Sequence, residues 1–110
     1  MASPTADQHR FTYADYLQWP DGERWELIDG KAYAMAPAPT ISHQALAGQL
    51  FRQIDEALDG TPCRALIAPV DVLLPASDEA DEQAATVVQP DILVVCDPEK
   101  ITDRKVRGAP

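Results

Sequence analysis

RWELIDGKAYAMAP, residues 24–37, holds the least ambiguous structural signal in the chain. Asp29-Gly30 lies between two alternating runs, the strongest short-range mark of a β-hairpin with a two-residue turn. That turn pairs Ile28 with Lys31, Glu26 with Tyr33 and Arg24 with Met35. One face then carries Glu26, Ile28, Lys31 and Tyr33, and the other Trp25, Leu27, Ala32 and Ala34. Pro37 and Pro39 close the second strand because proline cannot donate to a ladder.

Upstream, FTYADYLQWP (11–20) reads as a short helix with Thr12 as cap and Asp15 three residues on as its capping-box partner. Residues 1–10 read as a frayed leader. Downstream, a helix runs from about Ser42 to Asp59. Ile41 and Leu46 sit at staple positions. Leu46, Leu50, Ile54 and Leu58 repeat every four residues and form an apolar stripe with Ala47 and Phe51. Gly60 and Pro62 end it. CRALIAPVDVLLP (63–75) reads as one strand or a bent pair, since Pro69 implies an edge or a bulge. ASDEADEQAAT (76–86) reads as a mobile polar loop, and VVQPDILVVC (87–96) as the last strand. Residues 99–107 form a charged segment with room for one helical turn. Helix, hairpin, helix, strand, strand is an α+β (mixed α/β) order, with the long helix expected to pack on a small sheet.

Bulk properties narrow the function classes. The chain has 110 residues, 45% apolar and 25% charged, which fits one globular unit. No apolar run approaches the ~20 residues of a membrane span, and the N-terminal stretch lacks a signal-peptide core. Cytoplasm is the expected location, with no membrane partner. A net charge of −9 argues against a general nucleic-acid coat protein. It leaves room for an enzyme whose acids hold a divalent cation that then faces phosphate. Cys63 and Cys96 lie far apart and outside any CxxC pattern, so buried free thiols are expected rather than zinc ligands. The five glycines form no phosphate loop. No GxSxG elbow supports a serine triad, and Ser42 and His43 are neighbours that point apart.

Carboxylates on strands remain: Glu26 in the hairpin, Asp71 in VDVLL, and Asp91 directly after Pro90. A carboxylate next to a buried strand costs several kcal/mol (about 1–3 or more) unless it is paired or bound. Mg²⁺ favours one or two carboxylates on rigid elements, with water and phosphate in its other positions. Asp71 reads more readily as a solvent-facing residue or an ion-pair partner.

Four stretches, in order, resemble the bacterial Uma2 family of restriction-endonuclease-like proteins. FTYADYLQWP…ERWELIDGKAYAMAPAP resembles its opening helix and hairpin. ISHQALAGQLFRQIDEAL resembles its long helix, and CRALIAPVDVLLP…VVQPDILVVCDPEKI its paired strands. VRGAP resembles the bridge that precedes the next family strand. The resemblance covers 11–110. It implies a PD-(D/E)XK nuclease core that is metal-dependent, with Mg²⁺ or Mn²⁺, and hydrolyses phosphodiesters of nucleic acid, DNA first. Pro90-Asp91 matches the "PD". Glu26 matches an acid of the family's first hairpin, and the two are the expected catalytic and metal residues. His43 matches a histidine at the start of the long helix, in a supporting role such as capping.

The family's (D/E) acid lies on a strand resembling "DLVVEILSPST", and its lysine follows later; no residue through Pro110 matches either. The expectation is therefore the N-terminal part of such a domain, lacking the C-terminal strand and helix, with little hydrolysis by this chain alone. Lys100, Arg104, Lys105 and Arg107 would be placed to meet phosphate or, more simply, would form a solvated turn. The alternative is a non-catalytic module that dimerises, or binds a protein partner, through an exposed sheet edge.

Overall fold

The computed structural model describes residues 9–35, 38–76 and 78–110. Most of the expected leader, and Pro37, lie outside these residues. The fold is α+β, as the element order requires.

Strands β1 (Trp25–Ile28) and β2 (Lys31–Ala34) form the hairpin with the expected register, Glu26 opposite Tyr33 and Ile28 opposite Lys31. Asp29 and Gly30 both take positive φ, 50° and 81°, as a type I′ turn requires. Leu27 is fully buried, whereas Ile28 and Tyr33 are about half exposed, so the Trp25/Leu27 face is the inner one. Helix α1 (Tyr13–Tyr16) starts at Thr12, whose N–H donates to the Asp15 carboxylate at 2.9 Å.

Residues 63–75 form the bent pair, β3 (Arg64–Ile67) and β4 (Asp71–Leu73), on either side of a cis Ala68-Pro69 bond. The single last strand expected at 87–96 is in fact two, β5 (Val87–Val88) and β6 (Ile92–Val95). Pro90 has no N–H to continue a ladder, and the chain changes sheet across it. β7 (Lys105–Arg107) follows a 3₁₀ turn over Pro98–Lys100, so the charged tail ends in a strand. Strands β2-β1-β5-β4-β7 form one sheet, antiparallel except for the parallel β4–β7 pair; β3 and β6 form a second, antiparallel sheet.

Alternation along β4 builds two cores. Leu73 joins Leu27, Val87, Tyr13 and Ala84 on one face of the large sheet. Its neighbour Val72 joins Val106, Leu93 and Val95 on the other, against the small sheet. The described part of the acidic 76–86 segment, expected to be mobile, is held by specific bonds. Ala84 is fully buried, its carbonyl accepts from Tyr13 N–H, and Gly30 N–H donates to Ala85. Asp81 sits between Lys105 and Arg107, and Lys105 lies 5.1 Å from the Tyr13 ring centroid.

Helix α2 (Ile41–Ala57) starts one residue earlier than expected, because Thr40 is the cap; its hydroxyl accepts from His43 N–H at 3.1 Å. Its main packing partner is β3. Ala47 is its one buried residue, while Ile41, Leu46 and Leu50 are exposed. The helix packs on a small sheet as expected, but much of its apolar stripe stays exposed, because a two-stranded sheet is too narrow to cover a seventeen-residue helix. The cysteines also depart from expectation. Arg64 pairs with Val95, which sets Cys63 against Cys96, and the two form a disulfide rather than two buried thiols.

Candidate functional site

Pro90 ends the first half of the strand and leaves Asp91 in the bend before β6. The Asp91 backbone is still held, since its carbonyl accepts from Ala68 N–H at 3.0 Å. Its side chain is 65% exposed and lies 3.5 Å from His43 Nε2. Both line a cleft of about 450 Å³ between the start of α2, the β3–β4 bend and Arg24. The structure thus brings together Asp91 and His43, which are far apart in sequence. The Thr40 cap fixes the first turn of α2, and that turn sets the position of the imidazole. The ring's Nε2 faces a carboxylate, so protonation of His43 would turn the contact into an ion pair.

Glu26 is in the middle of β1 and does not line that cleft. It touches the same chain segment instead: its Oε2 accepts from the Gln89 N–H at 2.8 Å, two residues before Asp91. Among the described residues, no group of three or more His, Cys, Asp or Glu side chains has metal-holding proximity.

Gln89 is the centre of a polar network that sequence reasoning missed. Its Oε1 accepts from Arg24 Nε (3.0 Å) and Nη2 (2.9 Å). Its Nε2 donates to Tyr16 Oη (2.8 Å) and to Asp71 Oδ1 (2.9 Å). Tyr16 itself donates to Asp71 at 2.6 Å. Asp71 is therefore partly exposed and engaged by neutral donors, with no ion pair among the described residues. Burial, then the bond to Asp71, pushes the Tyr16 hydroxyl well above its ordinary value of 10.0, so it stays a donor. The signal was available: Gln89 is a polar residue between Val88 and Pro90, where a half-buried amide gains from finding partners.

The basic tail is largely committed elsewhere. Lys105 and Arg107 bind Asp81, and Lys100 donates to the Ala109 carbonyl. Arg104 makes no ion pair among the described residues. Phosphate contact by this segment as a group is not supported, because two of its cations already share one acid.

The family model of Uma2, described as "Putative restriction endonuclease", matches residues 13–110. No curated protein matches the chain.

Proposed function

The chain belongs to the Uma2 family, and from that premise we propose that it is a metal-dependent nuclease-like protein, acting on phosphodiesters of nucleic acid, DNA first, at the cleft shared by Asp91 and His43. One observation carries the reading. A proline-ended strand sets an accessible carboxylate beside an imidazole in a cleft, and Glu26 is bonded to the same turn of chain.

The donor chemistry fits Mg²⁺ or Mn²⁺. Asp91 offers hard oxygen donors open to water, and Glu26 engages only one of its two oxygens among the described residues. A bound divalent ion would supply Lewis-acid polarisation of a phosphoryl oxygen and an acidified water. Asp91 would hold that ion, and Glu26 would steady the Gln89–Asp91 turn and offer a second oxygen. His43 would orient Asp91 through their contact and hold or release a proton at Nε2. Among the described residues, no lysine and no acid besides Asp91 line the cleft, so we propose that turnover by this chain is negligible. We place the protein in the cytoplasm; among the described residues no helix is long and apolar enough to cross a membrane. Reducing conditions there would favour the open dithiol form of Cys63 and Cys96.

Calorimetric titration with Mg²⁺ and Mn²⁺ tests this function, followed by DNA binding with and without metal. Heat of binding in the parent that disappears in Asp91→Asn is expected. Equal heats in both proteins would overturn the metal assignment, and rapid Asp91-dependent cleavage would overturn the claim of negligible turnover. A second reading has its own support: Leu46 and Leu50, one helical turn apart, expose an apolar patch on α2, which suits a non-catalytic module that pairs with itself or with a protein. Light scattering that shows a dimer, together with no metal binding, would favour it.

A further inference from the structure

Four of the six arginines are held in two different ways, while Arg64 and Arg104 make no ion pair among the described residues. Arg10 pairs with Asp29, Arg52 with Glu56, and Arg107 with Asp81. Each of those charges is offset by a carboxylate. Arg24 is held by the neutral amide of Gln89, which takes both Nε and Nη2 on one oxygen. No carboxylate lies within ion-pair distance of Arg24 among the described residues, and nothing there accepts from its Nη1. Its guanidinium is therefore oriented without being neutralised. It lines the cleft that holds Asp91 and His43.

We propose that Arg24 forms an anion subsite of this cleft, that the subsite takes a phosphate group, and that Gln89 is its positioning residue. A guanidinium presents a planar fork of donors that matches two phosphate oxygens, and a fork already fixed on one edge loses less freedom on binding. With a net charge of −9, long-range attraction does not gather anions, so phosphate binds only where a cation is locally fixed and unshared. Gln89 meets this requirement through four side-chain bonds: two restrain Arg24, and the other two anchor the amide to Tyr16 and Asp71. Because Gln89 is also two residues from Asp91, one element sets the spacing between the anion-binding cation and the candidate metal-binding acid. The use of this subsite for a phosphodiester rests on the nuclease-like reading above; the affinity for phosphate does not.

The test is an NMR titration with inorganic phosphate in the absence of metal, followed through the Arg24 Nε–H and His43 ring signals. Saturable shifts at both are expected. Arg24→Gln should weaken binding by about tenfold or more, the loss of one charge-assisted contact. Arg24→Lys keeps the charge, loses the fork and should fall between. Gln89→Met should weaken binding while Arg24 is intact, a result that a purely structural glutamine would not give in a variant verified as folded. Arg52→Gln is the surface control and should change nothing. Equal effects of Arg52→Gln and Arg24→Gln, or unmoved Arg24 signals, would overturn the subsite. A short DNA oligonucleotide then separates the two claims. If phosphate binds through Arg24 but the oligonucleotide with Mg²⁺ fails to displace it, the nucleic-acid reading falls and the anion site stands. If the oligonucleotide binds in an Asp91-dependent way and Arg24→Gln leaves that unchanged, the subsite falls alone.

Discussion

Replacing Gln89 with methionine keeps the length of the side chain and removes its amide. The backbone N–H bond to Glu26 survives, so the substitution isolates the side-chain network. Lost are two bonds from Arg24, one to Asp71 and one to Tyr16. Bonds to charged partners contribute ~1.5–3 kcal/mol each when desolvated, and neutral ones ~1 kcal/mol. This site is only half buried, so Arg24 and Asp71 can regain water, and the Tyr16–Asp71 bond remains. The expected net loss is therefore about 2–3 kcal/mol. For a domain near 100 residues each kcal/mol shifts Tm by about 4–8 °C, which places the fall at roughly 10–20 °C. Thermal unfolding followed by circular dichroism, with urea denaturation as a cross-check, would read it. Gln49→Met is the control: that amide is exposed, its oxygen accepts from Arg52 at 3.2 Å, and its loss should stay within ~0.5 kcal/mol. If the two substitutions cost the same, the network is not what organises the turn before Asp91.

Other perturbations have equally definite outcomes. Arg107 first, then Lys105, holds the Asp81 carboxyl below its ordinary value of 3.8. A lowered folded value means the stabilisation is present above pH 3.8 and lost as pH falls through the folded value. Asp81→Asn should cost about 1–2 kcal/mol at neutral pH and flatten the acid limb of a stability profile. On the alkaline side, burial raises Tyr13 and Tyr16, and the bond to Asp81 raises Lys105. Raised folded values mean stability that is full below the ordinary 10.0–10.5 and declines above it, so urea midpoints should fall from about pH 10 upward. Leu73→Ala, at a fully buried position shared by both hydrogen-bonded neighbours of β4, should cost about 2–5 kcal/mol in chemical denaturation. Leu46→Glu, at an exposed position on α2, should stay within ~0.5 kcal/mol in the monomer while abolishing any self-association seen by light scattering.

What the sequence disclosed follows the range of the forces involved. The hairpin was legible to the residue because Asp29-Gly30 fixes its register through local backbone sterics. The existence of α2 was legible for the same reason, through a cap and a 3.6-residue period. Its exposed face was not, because periodicity shows which side chains align and not how wide the partner sheet is. The split of 87–96 was half visible in Pro90, but the change of sheet depends on distant pairing with β1, β3 and β4. β7 has three residues and no period to read, and the Cys63–Cys96 bond follows from the β3–β6 register. At the site, Asp91 and His43 stood out as residue types and as matches to a family pattern. Arg24 and Gln89 did not, since their importance lies in a contact sixty-five positions apart. A glutamine inside an apolar strand was the one available clue.

The central claim is that Asp91 marks a divalent-cation site and not merely an accessible acid. Titrating Mn²⁺ into isotope-labelled protein at substoichiometric levels tests it most directly, because paramagnetic broadening reports position. The account predicts broadening centred on Asp91 and reaching His43, Gln89 and Glu26, reversed by excess Mg²⁺ and absent in Asp91→Asn. Broadening centred on the acids of residues 78–82, with the Asp91 cleft unaffected, would contradict it.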